Sequence, residues 1–162
     1  MLDIILKLLE VSFWSGVAAL GFGILFNIPR SAVFTAFALG FCAGLIKFSL
    51  MHFHVHVVLG SFLAAFFVGL ICIPMAHKIH QPPVVFSIPP VIPMIPGYYA
   101  YETVLSVMNF IFMEGDASKR IVLIDAIFTN GFTMVFVLIS LTVGVALPML
   151  LLKKNTVKKI EL

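Results

Sequence analysis

Few side chains in this sequence can do chemistry. Glu102 and Asp125 are acids set within long apolar runs, and Pro93, Pro96, Gly97 and Tyr101 gather just ahead of Glu102. Asn27 and Arg30 flank Pro29, and Asn130 precedes Gly131. An acid enclosed by apolar sequence suits the carriage of a proton or a coupling cation, and ionisable groups at membrane depth mark functional sites by default. Glu102 fits a second role equally, complementing the positive end of a helix. Asp125 reads either as an interfacial acid at a helix start or as part of the same pathway. Asn130 can join helices or coordinate a substrate. Arg30 can gather an anionic substrate through a forked contact with carboxylate, or anchor a helix end on the basic side of a membrane.

Other chemistries lack their residues. His52 and His56 stand four apart, a spacing that suits a metal on a helix, but no third ligand is evident beyond His54, so no metal site is expected. Cys42 and Cys72 lie inside apolar runs, at a spacing that fits no zinc or redox motif, and read as small packing residues. There is no phosphate-binding glycine loop, no nucleophile elbow and no pair of catalytic carboxylates. Neither an enzyme nor a cofactor is expected.

The elements that must position these residues follow from composition. Of 162 residues, 62% are hydrophobic and 10% charged, against about half and about a quarter in a soluble domain. Too little polar surface remains to coat a water-soluble globule, so the chain reads as an all-α integral membrane protein. Its net charge of +3 comes with four lysines in the last ten residues, Lys153, Lys154, Lys158 and Lys159. A basic tail beside a spanning helix is a topology signal, and nucleic acid is not expected as a partner. The start, with Asp3, Lys7 and Glu10, lacks the basic segment and cleavage site of a secretory signal and reads as the beginning of the first helix.

A helix needs about 20 apolar residues to cross about 30 Å of hydrocarbon. Five segments qualify, at about 4–26, 32–50, 56–75, 84–113 and 121–152, in one transmembrane domain (1–152) followed by a basic tail (153–162). The second carries small residues every four positions, Ala32, Ala36, Gly40 and Gly44, a stripe that lets another helix approach closely in lipid. Lys47, near the end of that segment, is placed to snorkel toward the headgroups. In the last segment, residues 125–131 exceed the length needed to span, and read as a tilted extension or a separate piece.

Six of the nine prolines lie between Pro82 and Pro96, in "PPVVFSIPPVIPMIPGYYAYE". A continuous helix over 84–113 would be about 45 Å long, and each proline in it removes a backbone donor and crowds the preceding turn. The sequence predicts a break near Pro93–Gly97, close to mid-membrane, with a new half-helix starting around Gly97. Carbonyls freed there cannot face lipid and must be buried in protein or line a wet cavity. Interrupted helices of this kind build substrate sites in many transporters. The other reading is a proline-kinked helix packed on its neighbours without a ligand.

Lysine and arginine placement puts the tail in the cytoplasm. With five spans, the N-terminus then faces outward, Arg30 and Lys78 lie inside, and "HFHVH" and "EGDASKR" lie outside. A four-span alternative leaves the second segment uncrossed and the N-terminus inside.

"GFGILFNIPR" (21–30), "VFSIPPVIPMIPGYYAY" (85–101) and "TNGF" (129–132) resemble the small YjjB-type subunit of the threonine/serine exporter (ThrE) superfamily. The likeness runs in order along nearly the whole chain. It implies a multi-pass inner-membrane protein of bacteria that acts with a larger YjjP-type membrane subunit. It also implies export of small carboxylate metabolites, succinate for the two-subunit pair and threonine or serine for fused exporters. The motif positions carried over are Asn27, Pro29, Pro93, Pro96, Gly97, Tyr101 and Asn130. Five short helices are too few to enclose an alternating-access pathway, so a partner subunit or a homo-oligomer is expected within the bilayer. A rival role is that of a non-transporting assembly subunit, which would stabilise the larger partner alone.

Overall fold

The structure, a computed structural model, describes residues 2–112 and 117–152. All its regular elements are helices: α1 (Leu2–Leu25), α2 (Arg30–His52), α3 (Val57–Ile79), α4 (Val84–Val91), a 3₁₀ turn (Ile92–Met94), α5 (Gly97–Phe112) and α6 (Ala117–Leu151). Helices α1, α2, α3 and α6 are long and apolar enough to cross a membrane, and Val84–Met94 is a shorter apolar helix. The chain is an all-α membrane protein of about five spans. Glu114, Asp116 and the lysine tail fall outside the described residues.

The first two helices form a close antiparallel hairpin because small residues face each other. Ala32, Ala36, Gly40 and Gly44 are all buried, and the last three meet the chain's own α1. A Cβ added at Gly40 would collide with Ala19 Cβ and lie 3.1 Å from the Ser15 carbonyl oxygen. Without a hydrophobic effect between helices in lipid, such backbone proximity supplies the van der Waals contact that holds them. The core is correspondingly fine-grained: Ala19, Ala43, Ala64 and Ala65 are fully buried, whereas large side chains such as Trp14, Phe34 and Phe136 point outward. An apolar exterior is what a lipid solvent requires.

Helices α3 and α6 cross by the same means. A Cβ at Gly69 would sit 2.7 Å from Val145 O, and one at Gly144 would sit 2.8 Å from Phe62 O. These pairings advance together, so α3 and α6 run in the same direction and Leu151 lies toward the Ile79 end. The amino-terminal half of α6 pairs with α5 instead: Gly131 faces Thr103, and the Arg120 guanidinium lies 4.7 Å from the centre of the Phe110 ring. Residues 125–131 are thus not a separate piece but an extension within one 35-residue helix. At about 1.5 Å per residue it rises about 52 Å, more than the hydrocarbon alone can hold.

Three hairpin turns share one device. Asn27, His54 and His80 have positive φ, at 53°, 60° and 56°. Each follows a helix end whose last carbonyls are taken by backward bonds: Ile28 N–H to Gly23 O (3.1 Å), Val55 N–H to Leu50 O (3.0 Å) and Gln81 N–H to Ala76 O (3.1 Å). This is the Schellman arrangement, and Asn and His are among the residues that tolerate its left-handed position.

Candidate functional site

The proline segment folds as an interrupted helix. Helix α4 and the 3₁₀ turn together span Val84–Met94, about 18 Å by helical rise. That is roughly half of a 30 Å hydrocarbon layer. The chain then turns at Ile95 and Pro96, and α5 begins at Gly97. The turn is fixed by Ile95 N–H to Ile92 O (3.0 Å) and Gly97 N–H to Ile95 O (2.8 Å). Because Gly97 gives its proton to Ile95, the i to i−4 ladder stops there.

One carbonyl released by the break is Met94 O, which in a continuous helix would receive the Tyr98 amide. Here it receives a proton from Lys47 Nζ at 2.9 Å. Lys47 is 7% exposed, so the sequence-based expectation that it snorkels to the headgroups is corrected. The physical reason is directional: a helical Cα–Cβ bond tilts toward the helix amino terminus, so the side chain runs back along α2, away from His52 and toward the break. The signal was present in the sequence. Lys47 stands three residues after Gly44 and seven after Gly40, on the buried stripe itself. Its ammonium also lies 6.0 Å from the centre of the Phe48 ring. A cation at the carbonyl end of α4 complements that end electrostatically.

Helix α3 closes the other flank. A Cβ at Gly60 would stand 3.5 Å from Lys47 O. The next residue, Ser61, is fully buried and its Oγ has no hydrogen-bond partner among the described residues. On the far side of α4, an open apolar hollow of about 400 Å³ runs between Val84–Ile95 and residues 138–149 of α6.

The residues singled out from sequence are dispersed relative to this break. Pro93 is half-buried in the 3₁₀ turn, Pro96 is buried in the connection, and Gly97 and Tyr101 are exposed at the start of α5. Glu102 follows in the second turn, half-buried; Asn130 is half-buried and Asp125 exposed, both on the part of α6 that pairs with α5. Neither acid makes a hydrogen bond or ion pair among the described residues. Asn27 and Arg30 are exposed at the α1–α2 turn, and Asn27 serves there as the left-handed residue that ends α1. His54 ends α2 in the same way, and His56 caps α3 by accepting the Val58 amide at 3.3 Å. Among the described residues no three potential metal ligands gather.

A bundle of apolar helices, one of them interrupted, with a buried cation on the freed carbonyl, defines a multi-pass membrane protein. The chain belongs to the threonine/serine exporter, ThrE, family, whose profile matches residues 11–151. It is also similar to an uncharacterized protein of Haemophilus influenzae, with 29% identity over 147 residues, or 90% of this chain and 48% of that protein. The chain thus spans about half the length of this curated relative. No solved structure matches it.

Proposed function

We propose that this chain is one subunit of an exporter of small carboxylate metabolites, threonine and serine or succinate, in a bacterial inner membrane. The observation that carries this reading is the interrupted helix α4–α5 with Lys47 on Met94 O, in a chain of the ThrE family. Half-helix ends and unpaired backbone groups at membrane depth hold a charged small molecule without a full complement of charged side chains. Pro93, Pro96, Gly97 and Tyr101 shape the break, Asn130 and Arg30 lie along the route, and Glu102 or Asp125 couples a proton or ion to export.

A larger YjjP-type membrane subunit supplies the remainder of the pathway. In support, the matched relative is about twice as long as the aligned region. Arg30 and Lys78 lie at the same end of the bundle as Leu151, after which the lysine tail follows; this clustering supports a cytoplasmic C-terminus. The test is efflux from loaded bacterial cells lacking this chain, with the larger subunit's membrane abundance measured alongside. Lost efflux of threonine or succinate with the partner retained is the expected result. Efflux lost only in step with the partner's disappearance would make this an assembly subunit instead.

A further inference from the structure

We infer that Lys47 is the cation that receives the carboxylate of the transported metabolite, at the break between the 3₁₀ turn and α5. The inference rests on the transport reading above and names the group that would recognise its substrate class.

Lys47 is a buried cation with unfilled capacity. An ammonium has three N–H donors; one goes to Met94 O. No carboxylate of the chain lies within ion-pair distance among the described residues. A charge taken out of water without a counter-ion carries a large desolvation cost, and a neutral side chain would fill the same space without it. A resident unpaired cation is therefore explained by an anion that visits.

The neighbouring groups suit a carboxylate. The amides of Tyr98 and Tyr99 have no backbone acceptor, since the first bonds around the turn run from Gly97 to Ile95 O and from Ala100 to Pro96 O. They belong to the amino end of the 16-residue α5, where the helix dipole favours negative charge. On α3, Gly60 packs against the backbone carbonyl of Lys47, and the buried hydroxyl of the next residue, Ser61, has no hydrogen-bond partner among the described residues. A carboxyl group on a partner protein is the other source of this chemistry. Lys47 is enclosed by this chain's own helices, which favours a small molecule admitted at the hinge, and a Cβ at Gly97 would meet nothing within 4 Å.

The experiment uses the chain assembled with its larger subunit in membranes, with Tyr98→Cys as reporter in a Cys42→Ala, Cys72→Ala background. Labelling by a water-soluble maleimide is followed with threonine, succinate, or their carboxamide analogues threoninamide and succinamide. One or both carboxylates should slow labelling and the amides should not. In Lys47→Met the half-protecting concentration should rise at least about tenfold, as for a lost charge-assisted hydrogen bond; Lys47→Arg should keep protection. Equal protection by the amides, or unchanged protection in Lys47→Met, overturns the inference. Protection absent from the parent protein overturns it too, and leaves the transport reading standing if deletion of the chain still abolishes efflux. Should Lys47→Met fail to reach the membrane, the amide comparison and Lys47→Arg decide the matter: loss of protection in the arginine variant overturns it. If the partner's carboxyl is the anion, protection will be indifferent to added metabolite.

Discussion

Lys47 of α2 and Met94 of the 3₁₀ turn are 47 residues apart in sequence and joined by a 2.9 Å hydrogen bond. The bond ties a buried cation to the carbonyl that the proline-rich break sets free. It satisfies a carbonyl whose burial without a partner is unfavourable in an apolar interior, and it takes one of the three donors of the ammonium.

If prolines hold the break open, their removal should heal it. Proline disfavours a helix interior by about 3 kcal/mol relative to alanine. Pro93→Ala with Pro96→Ala should let the ladder run through Gly97 and return Met94 O to the Tyr98 amide. Helical content by circular dichroism should rise slightly, and efflux should fall at least tenfold at unchanged membrane abundance. Undiminished efflux would separate the break from transport.

The α1–α2 contact predicts a sharp contrast between two glycines. Gly40→Val places its Cβ on Ala19 and beside the Ser15 backbone, whereas Gly21 has nothing within 4 Å of its Cβ position. Overpacking costs about 1–3 kcal/mol, or more where backbone must move. Gly40→Val should lose most of its membrane-folded protein in a thermal-aggregation assay, and Gly21→Val should match the parent.

Much of this architecture was legible in the sequence. The apolar segments, the break at Pro93–Gly97 and the α5 start at Gly97 follow from hydropathy and proline chemistry, which act locally. The small-residue stripe announced a close helix but not which one, because packing partners are set by tertiary contact. For Lys47, position near a helix end points to the headgroups, but its register on the buried stripe and the direction of its Cβ decide where the ammonium goes. Asn27 showed as a motif residue, but its left-handed backbone role appears only once the turn's hydrogen bonds are known.

That role gives a discriminating substitution. Asn27→Gly keeps the positive φ of 53° available while removing the amide. If Asn27 acts through its backbone, the glycine variant should export normally, and Asn27→Val should lose about 1–2 kcal/mol of stability from the left-handed strain, seen as a lower melting temperature. Export lost in the glycine variant with stability intact would assign the side chain to the pathway.

Glu102 and Asp125 are the acids available for ion coupling on α5 and α6. Neutralising both, as Glu102→Gln with Asp125→Asn, should slow proton-gradient-driven efflux at least fivefold with abundance unchanged. Efflux at the parent rate would remove these two carboxyls from the coupling step.

The most direct test of the central claim, that the interrupted helix lines the transport route, is a cysteine scan over positions 93–101 in the assembled protein in cells. Each variant would be exposed to a water-soluble thiol reagent while efflux is recorded. Positions flanking the break should react from water, and their modification should block efflux. A stretch that stays unreactive throughout, with efflux untouched, would mark α4–α5 as packing and contradict the account.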